Sequence, residues 1–318
     1  MKRSLISVLA SVMLSAPAFA DPSVYTPALD LGSEFTTLGD GSKIHSIQAG
    51  TGETVVFLHG LPASAYLWRE VVREVGASHH AIAPDLPGYG YSDAPRSGDF
   101  GLTAAVESLS EYLNGLEAET FTLVVTDMGS VLGLNYAVHN ADRIKGIVLS
   151  EAVFQPPEAF MAQLRPEHME FIMAAQDPAF VKQITLDQPA LVDMAMQANS
   201  ITTLSDEVLA NYRAPYIDPA PDHMEKRMVL NAVFGPDGLN NFGMMAHENA
   251  SLLAELDVPI LLVEADPGYM VNAPAVEYAR TTFADLTVVT IDHAGHFFAE
   301  DNPSAFAKAV TSWMASQD

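Results

Sequence analysis

The chain has no cysteine among its 318 residues. That excludes a disulfide-stapled scaffold, a thiolate nucleophile and any cysteine-held metal centre. Basic residues are scarce too: 15 Lys and Arg stand against 40 Asp and Glu, a formal net charge of −25. Nucleic acid and anionic membrane surfaces are poor partners for such a surface. The carboxylates are dispersed along the chain, so the acidity reads as solubility or salt adaptation rather than as an acidic tail. Long apolar runs are missing except at the start. There Lys2 and Arg3 precede a mostly apolar stretch over residues 5–14, and Ala18-Phe19-Ala20 precedes Asp21. This is the layout of a secretory signal peptide over 1–20, too short to span a bilayer. The expected mature chain is 21–318, periplasmic or secreted, with no integral membrane segment after cleavage.

What is present suits a large packed core, with 49% hydrophobic residues. Strand patterns fall at 43–48, 54–58, 80–83, 122–126, 146–149, 260–264 and 287–291. Helical patterns lie at about 66–76, 103–115, 130–140, 271–282 and 303–316. Several strands are continuous Val/Ile/Leu runs, as in parallel strands covered on both faces. The alternation predicts an α/β fold with a mostly parallel, doubly wound sheet. From 155 to 255 the strand pattern disappears. Met-, Ala- and Leu-rich helical sequence is broken by Pro156, Pro157, Pro215, Pro219 and Pro221. This predicts a core built from 21–154 and 256–318 and a helical cap over 155–255, whose methionines line a cavity or simply fill a core.

The segment FTLVVTDMGSVLG, 121–133, reads as strand, sharp turn and helix with Asp127 on the turn. This is the layout of a nucleophile elbow, and Gly129 relieves crowding beside it. Serine at such a position attacks acyl carbon. Aspartate can attack saturated carbon and form an alkyl ester that water then cleaves. The base expected for that step is His296, in the loop after strand 287–291, ahead of its neighbour His293. An acid must hold the base's tautomer. Glu151, after strand 146–149, and Asp266, after strand 260–264, both fit. Asp266-Pro267-Gly268 is also a strong turn signal, which favours Glu151. Oxyanion donors are expected from the backbone N–H groups of Met128 and Leu61, the latter in His59-Gly60-Leu61-Pro62.

Taken together, these segments resemble the aspartate-nucleophile branch of the α/β-hydrolases, and more narrowly the haloalkane dehalogenases. HGLPASAYLWREVV, APDLPGYGYSDAP, TDMGSVLGLNYA, SEAVF, ADPG and AGHFFAEDNP match core segments of that family, and TLSDEVLANYRAPY matches a cap segment. The resemblance implies the α/β-hydrolase fold with an inserted cap and a small apolar substrate. It implies water as co-substrate and neither metal nor organic cofactor. It also implies Glu151 as the acid and a structural role for Asp266.

Two positions depart from the family pattern. The tryptophan after the nucleophile is Met128, and the asparagine after H-G is Leu61. These residues hold the leaving halide in the subgroup resembled. Trp68 and Trp313, the chain's two tryptophans, fall elsewhere in the sequence. Epoxide hydrolysis to a diol is therefore the nearest alternative, with Tyr212, Tyr216, His168 and His223 as candidate proton donors from the cap. A non-catalytic small-molecule binder on the same scaffold is the alternative of another class. Among the amides, Asn199, Asn211, Asn231, Asn240 and Asn241 are the candidates to replace a halide donor.

Overall fold

The computed structural model describes residues 31–185, 188–217 and 223–317. The expected signal segment 1–20 lies outside the described residues, as does the side chain of His223.

Eight strands form one sheet in the order β1-β2-β4-β3-β5-β6-β7-β8. They are β1 (Gly32–Thr37), β2 (Lys43–Ala49), β3 (Thr54–Leu58), β4 (His80–Pro84), β5 (Phe121–Thr126), β6 (Ile144–Ala152), β7 (Ile260–Pro267) and β8 (Leu286–Ala294). The first two strands pair antiparallel, and β2 pairs antiparallel with β4. From β4 to β8 every pairing is parallel. The strand order turns at β3, which lies between β4 and β5. Residues 55–58 and 121–126 are buried without alternation, because helices cover both faces of the central strands.

The helices of the core are α1 (Arg69–Val75), α2 (Leu102–Asn114) and α3 (Asp127–His139) before the insert. Between β6 and β7 the described residues carry helices and no strand. These are α4 (Pro157–Met161), α5 (Pro166–Ala174), α6 (Pro178–Ile184), α7 (Gln188–Asn199), α8 (Asp206–Arg213), α9 (His223–Phe234) and α10 (Pro236–Leu253). Proline opens α4, α5, α6 and α10, where its missing N–H costs nothing. The chain then returns to the sheet and ends with α11 (Ala273–Thr282), α12 (Phe298–Asp301) and α13 (Pro303–Met314). Two apolar clusters fill the two sides of the sheet. One is built on Val56, Leu123, Leu149 and Leu262, the other on Val55, Phe57, Val124 and Val263.

Three details differ from the sequence expectations. Strand β1 was not foreseen: its residues are nearly all exposed on an edge, so no periodicity marks them. Strand β6 extends to Ala152 instead of stopping at Leu149, so Glu151 lies within its last residues. Likewise β7 extends to Pro267, so Asp266 lies inside the strand rather than after it. Among the described residues, no helix is long and apolar enough to cross a membrane.

Candidate active site

The site is assembled at the carboxyl ends of β3, β5, β6 and β8, around the point where the strand order turns. Asp127 follows β5 directly and opens α3 with φ +46°. A non-glycine residue in that region costs ~1–3 kcal/mol of backbone strain, which the surroundings must hold. Ser130 does part of this. Its hydroxyl donates to the Asp127 carbonyl and accepts from the Val153 N–H at 2.8 Å, joining the elbow to the end of β6. Close packing fixes two glycines. A Cβ on Gly60 would lie 2.2 Å from the Asp127 Cβ, and one on Gly129 would lie 2.4 Å from the His59 carbonyl oxygen.

The three residues expected to act together are in contact. His296 Nδ1 lies 3.0 Å from Glu151 Oε2, and His296 Nε2 lies 3.7 Å from Asp127 Oδ2. The Leu61 N–H donates to Asp127 Oδ1 at 2.7 Å. Met128 is buried, and its side chain lines the cavity beside Asp127.

Glu151 is fully buried, in the left-handed region at φ +47°. Its oxygens accept the backbone N–H groups of Tyr269 (2.9 Å), Met270 (2.9 Å) and Val271 (3.3 Å) besides facing His296. The chain leaves β7 at Gly268, with φ +48°, and this bend brings those amides round to the carboxylate. Asp266 itself is exposed, so the alternative acid is not drawn to His296.

The other histidine candidate, His293, is exposed. It has φ +53° where the β7–β8 register slips, with Asp266 opposite Asp292 and Pro267 opposite Ala294. This is a bulge with His293 as the extra residue. Such a bulge bends a strand and re-aims the chain beyond it, here the loop that carries His296. The backbone N–H of His296 is held at 3.0 Å by the carbonyl of Asn199, at the end of α7.

Burial alone would push the His296 imidazole down. The hydrogen bond to Glu151 and the negative charges of Asp127 and Glu151 outweigh it, so its pKa lies above the ordinary histidine value of 6.5, with Arg165 pulling the other way. His59 goes in the opposite direction, because its complete burial dominates. Its ring accepts the Leu86 N–H at Nε2 (2.8 Å) and faces the Gly60 carbonyl with Nδ1 (2.9 Å), as a neutral imidazole does. It thereby ties the loop after β3 to the loop after β4.

A cavity of about 1000 Å³ opens over Asp127 and His296. Leu61, Met128, Val153, Phe160, Leu191 and Met194 give it much of its apolar wall. Trp68 and Trp313 are buried in the core instead, against Phe57 and against Gly146 respectively. Of the amide candidates, Asn199 and Asn240 reach the cavity wall, and so does Gln176, which sequence reasoning did not single out. Asn211 donates to the Glu207 carbonyl, and Asn231 accepts from Thr185.

Tyr212 and Tyr216 are buried away from the wall. The Tyr212 hydroxyl binds Glu300, and the Tyr216 hydroxyl accepts the Gly90 N–H. Burial and the nearby Glu300 charge push the Tyr212 pKa well above its usual value. His168 does line the cavity. Its ring stacks at 4.0 Å on Tyr269, a second wall residue absent from the sequence reading. Nothing in the sequence marks Tyr269, because it is recruited by the turn before it. Among the described residues no cluster of His, Asp or Glu could hold a metal ion.

The insert is fastened to the loop of His296 by the residues of AGHFFAEDNP. Glu300 accepts both guanidinium arms of Arg69 and the hydroxyl of Tyr212. Asp301 accepts the N–H groups of Ile201 (2.9 Å), Thr202 (2.8 Å) and Gly295 (2.8 Å). Three of the segments singled out by sequence, YLWR, NYR and AED, thus meet at one buried carboxylate.

Comparison with known proteins agrees with this architecture. The family described as alpha/beta hydrolase fold matches residues 53–303. A haloalkane dehalogenase of Sphingobium indicum is 30% identical over 284 residues, covering 86% of this chain and 92% of that protein. One from Mesorhizobium japonicum is 27% identical over 276 residues, covering 86% and 88%. The crystal structure of the haloalkane dehalogenase from Bradyrhizobium elkani USDA94 superposes with a TM-score of 0.79 at 25% identity, covering 91% of this chain and 99% of that one. The chain belongs to the α/β-hydrolase fold family, within which it is similar to the haloalkane dehalogenases.

Proposed function

We propose that the protein hydrolyses a carbon–halogen bond through an alkyl-enzyme ester on Asp127. The observation that carries this reading is the linked set Asp127–His296–Glu151 at the wall of an apolar cavity. In the first step an Asp127 oxygen attacks the halogen-bearing carbon. The new C–O bond forms as the C–halogen bond breaks, and halide leaves with the electron pair. In the second step water attacks the ester carbonyl while His296 Nε2 takes its proton, and Glu151 orients and stabilises the imidazolium. The Leu61 N–H, already on Asp127 Oδ1, and the Met128 N–H at the start of α3 stabilise the tetrahedral oxyanion. Collapse releases the alcohol and restores the carboxylate. The net change is R–X plus water to R–OH plus HX.

Epoxide hydrolysis is the second reading, and one observation favours it: His168 and Tyr269 stack on each other in the wall of the same cavity. Such a pair could protonate the alkoxide of an opening ring. Export to the periplasm or the medium belongs to the same proposal and rests on the N-terminal pattern of 1–20. The mass of the N-terminus in the exported fraction tests it.

The function test is a panel of bromoalkanes and epoxides on wild type and Asp127→Ala. Bromide release that Asp127→Ala abolishes supports dehalogenation. Diol formation that Tyr269→Phe abolishes moves the chain to epoxides. Turnover of neither leaves a binding module.

A further inference from the structure

We propose that the substrates of this cavity are apolar halides of about ten to twenty carbons, and that Gly243 keeps the space for them. The proposal rests on the reading of Asp127 as nucleophile toward a carbon–halogen bond.

The cavity measures about 1000 Å³, at the upper end of the range for pockets that enclose drug-sized ligands. A water-sized group takes up roughly 30 Å³ of a liquid, so a four-atom dihaloethane would occupy roughly 120 Å³. Water would fill the rest, and little would hold the reacting carbon against Asp127. A twelve-carbon bromide, at roughly 400 Å³ on the same scale, still fits.

The wall is built for such a ligand. Phe160, Phe171, Phe234 and Phe242 line the cavity, and each is only half-buried. They come from α4, α5, α9 and α10, so the apolar wall is shared among four helices of the insert. The rings of Phe171 and Phe234 meet edge to face, with centroids 5.7 Å apart, and join α5 to α9. A ligand that covers this surface removes it from water, which is worth about fourfold in affinity per methylene. An alkyl tail spread over the wall can thereby hold the carbon against Asp127, as remote contacts commonly do for a reacting centre. Exposed Glu170, Gln176 and Asn240 belong to the same wall and mark its solvent side.

Gly243 also lines the cavity, inside α10. Glycine within a helix is destabilising relative to alanine, so its presence there asks for a reason. Gly238, in the same helix, has one in packing: a Cβ there would lie 2.0 Å from the Ala232 carbonyl oxygen. At Gly243 a Cβ would meet nothing within 4 Å. What the missing side chain preserves is open space at the cavity.

The test measures kcat/KM for bromoalkanes of four, six, ten and twelve carbons, below their solubility limits, on wild type and Gly243→Leu. In wild type the value should keep rising past six carbons and be about a hundredfold higher at twelve than at four, a small part of what eight buried methylenes can supply. Gly243→Leu should lower that twelve-to-four ratio about tenfold. Leucine suits a helix interior, and the melting temperature of the variant checks that it is folded. Calorimetric binding of 1-hexanol and 1-decanol to wild type needs no turnover. Decanol binding about tenfold or more tighter than hexanol upholds the large apolar site, even where no bromide is released and the dehalogenation reading fails. A wild-type series that levels off by six carbons, equal binding of the two alcohols, or a ratio unmoved by folded Gly243→Leu would overturn the proposal.

Discussion

Glu151 illustrates what a buried carboxylate requires. Charge without partners would be expelled from the interior, and here three backbone amides and the His296 ring supply them. Glutamine at 151 would keep the volume but turn an NH₂ toward N–H donors and leave the imidazolium unbalanced. Glu151→Gln should slow ester hydrolysis by ~10²–10⁴-fold in single-turnover kinetics, while Asp266→Asn, at an exposed position, should stay within about twofold. The reverse ranking would move the acid role to Asp266.

The His296 titration adds a second test. Its pKa is raised above 6.5 in the resting protein, so the neutral base is lost as pH falls through that raised value. Alkylation neutralises Asp127 and removes one of the raising charges. The acid limb of ester hydrolysis should therefore lie below the His296 pKa found by NMR titration of the resting protein. A limb at or above that value would contradict the electrostatic assignment. The meeting of Asp127, His296 and Glu151 was legible in the sequence because each is a chemically distinctive side chain at or just beyond the carboxyl end of a strand. Tyr269, Met270 and Val271 were not, since they serve through backbone amides or through position. Arg165, in the connection just before α5, was missed because such a connection has no periodicity that says which of its residues face the cavity.

At the level of elements, the central strands were readable because burial on both faces leaves continuous apolar runs. The carboxyl end of β6 and the whole of β1 were not readable in the same way. Ser150 and Glu151 are polar yet buried, so the apolar signal of β6 stops before the strand does. Edge strand β1 has no buried face and left no signal. What fastens the insert was visible only as separate segments. Arg69, Tyr212 and Glu300 are far apart in the chain and meet in one network. Tyr212→Phe removes a hydroxyl that donates to a charged acceptor, and should cost ~1.5–3 kcal/mol in urea unfolding. It should also speed proteolysis within 155–255 relative to the core. Unchanged stability and cleavage would mean that this contact does not hold the insert.

Across the whole molecule, the imbalance of 40 acidic against 15 basic residues makes like-charge repulsion a standing cost of compactness. Salt screens such repulsion over roughly 10 Å at 0.1 M ionic strength. Raising sodium chloride from low to moderate concentration should lift the melting temperature by a few degrees, equivalent to ~1 kcal/mol. A fall in melting temperature would mean that ion pairs such as Arg213–Asp193 outweigh the net repulsion.

The most direct test of the proposed chemistry is to look for the ester itself. His296→Ala removes the base for its hydrolysis and leaves the nucleophile in place. Mass spectrometry of this variant after incubation with bromoalkane should show the alkyl group added to the peptide that contains Asp127, with bromide released in equal amount. Adduct on another residue, or bromide released without any adduct on Asp127, would contradict Asp127 as the nucleophile.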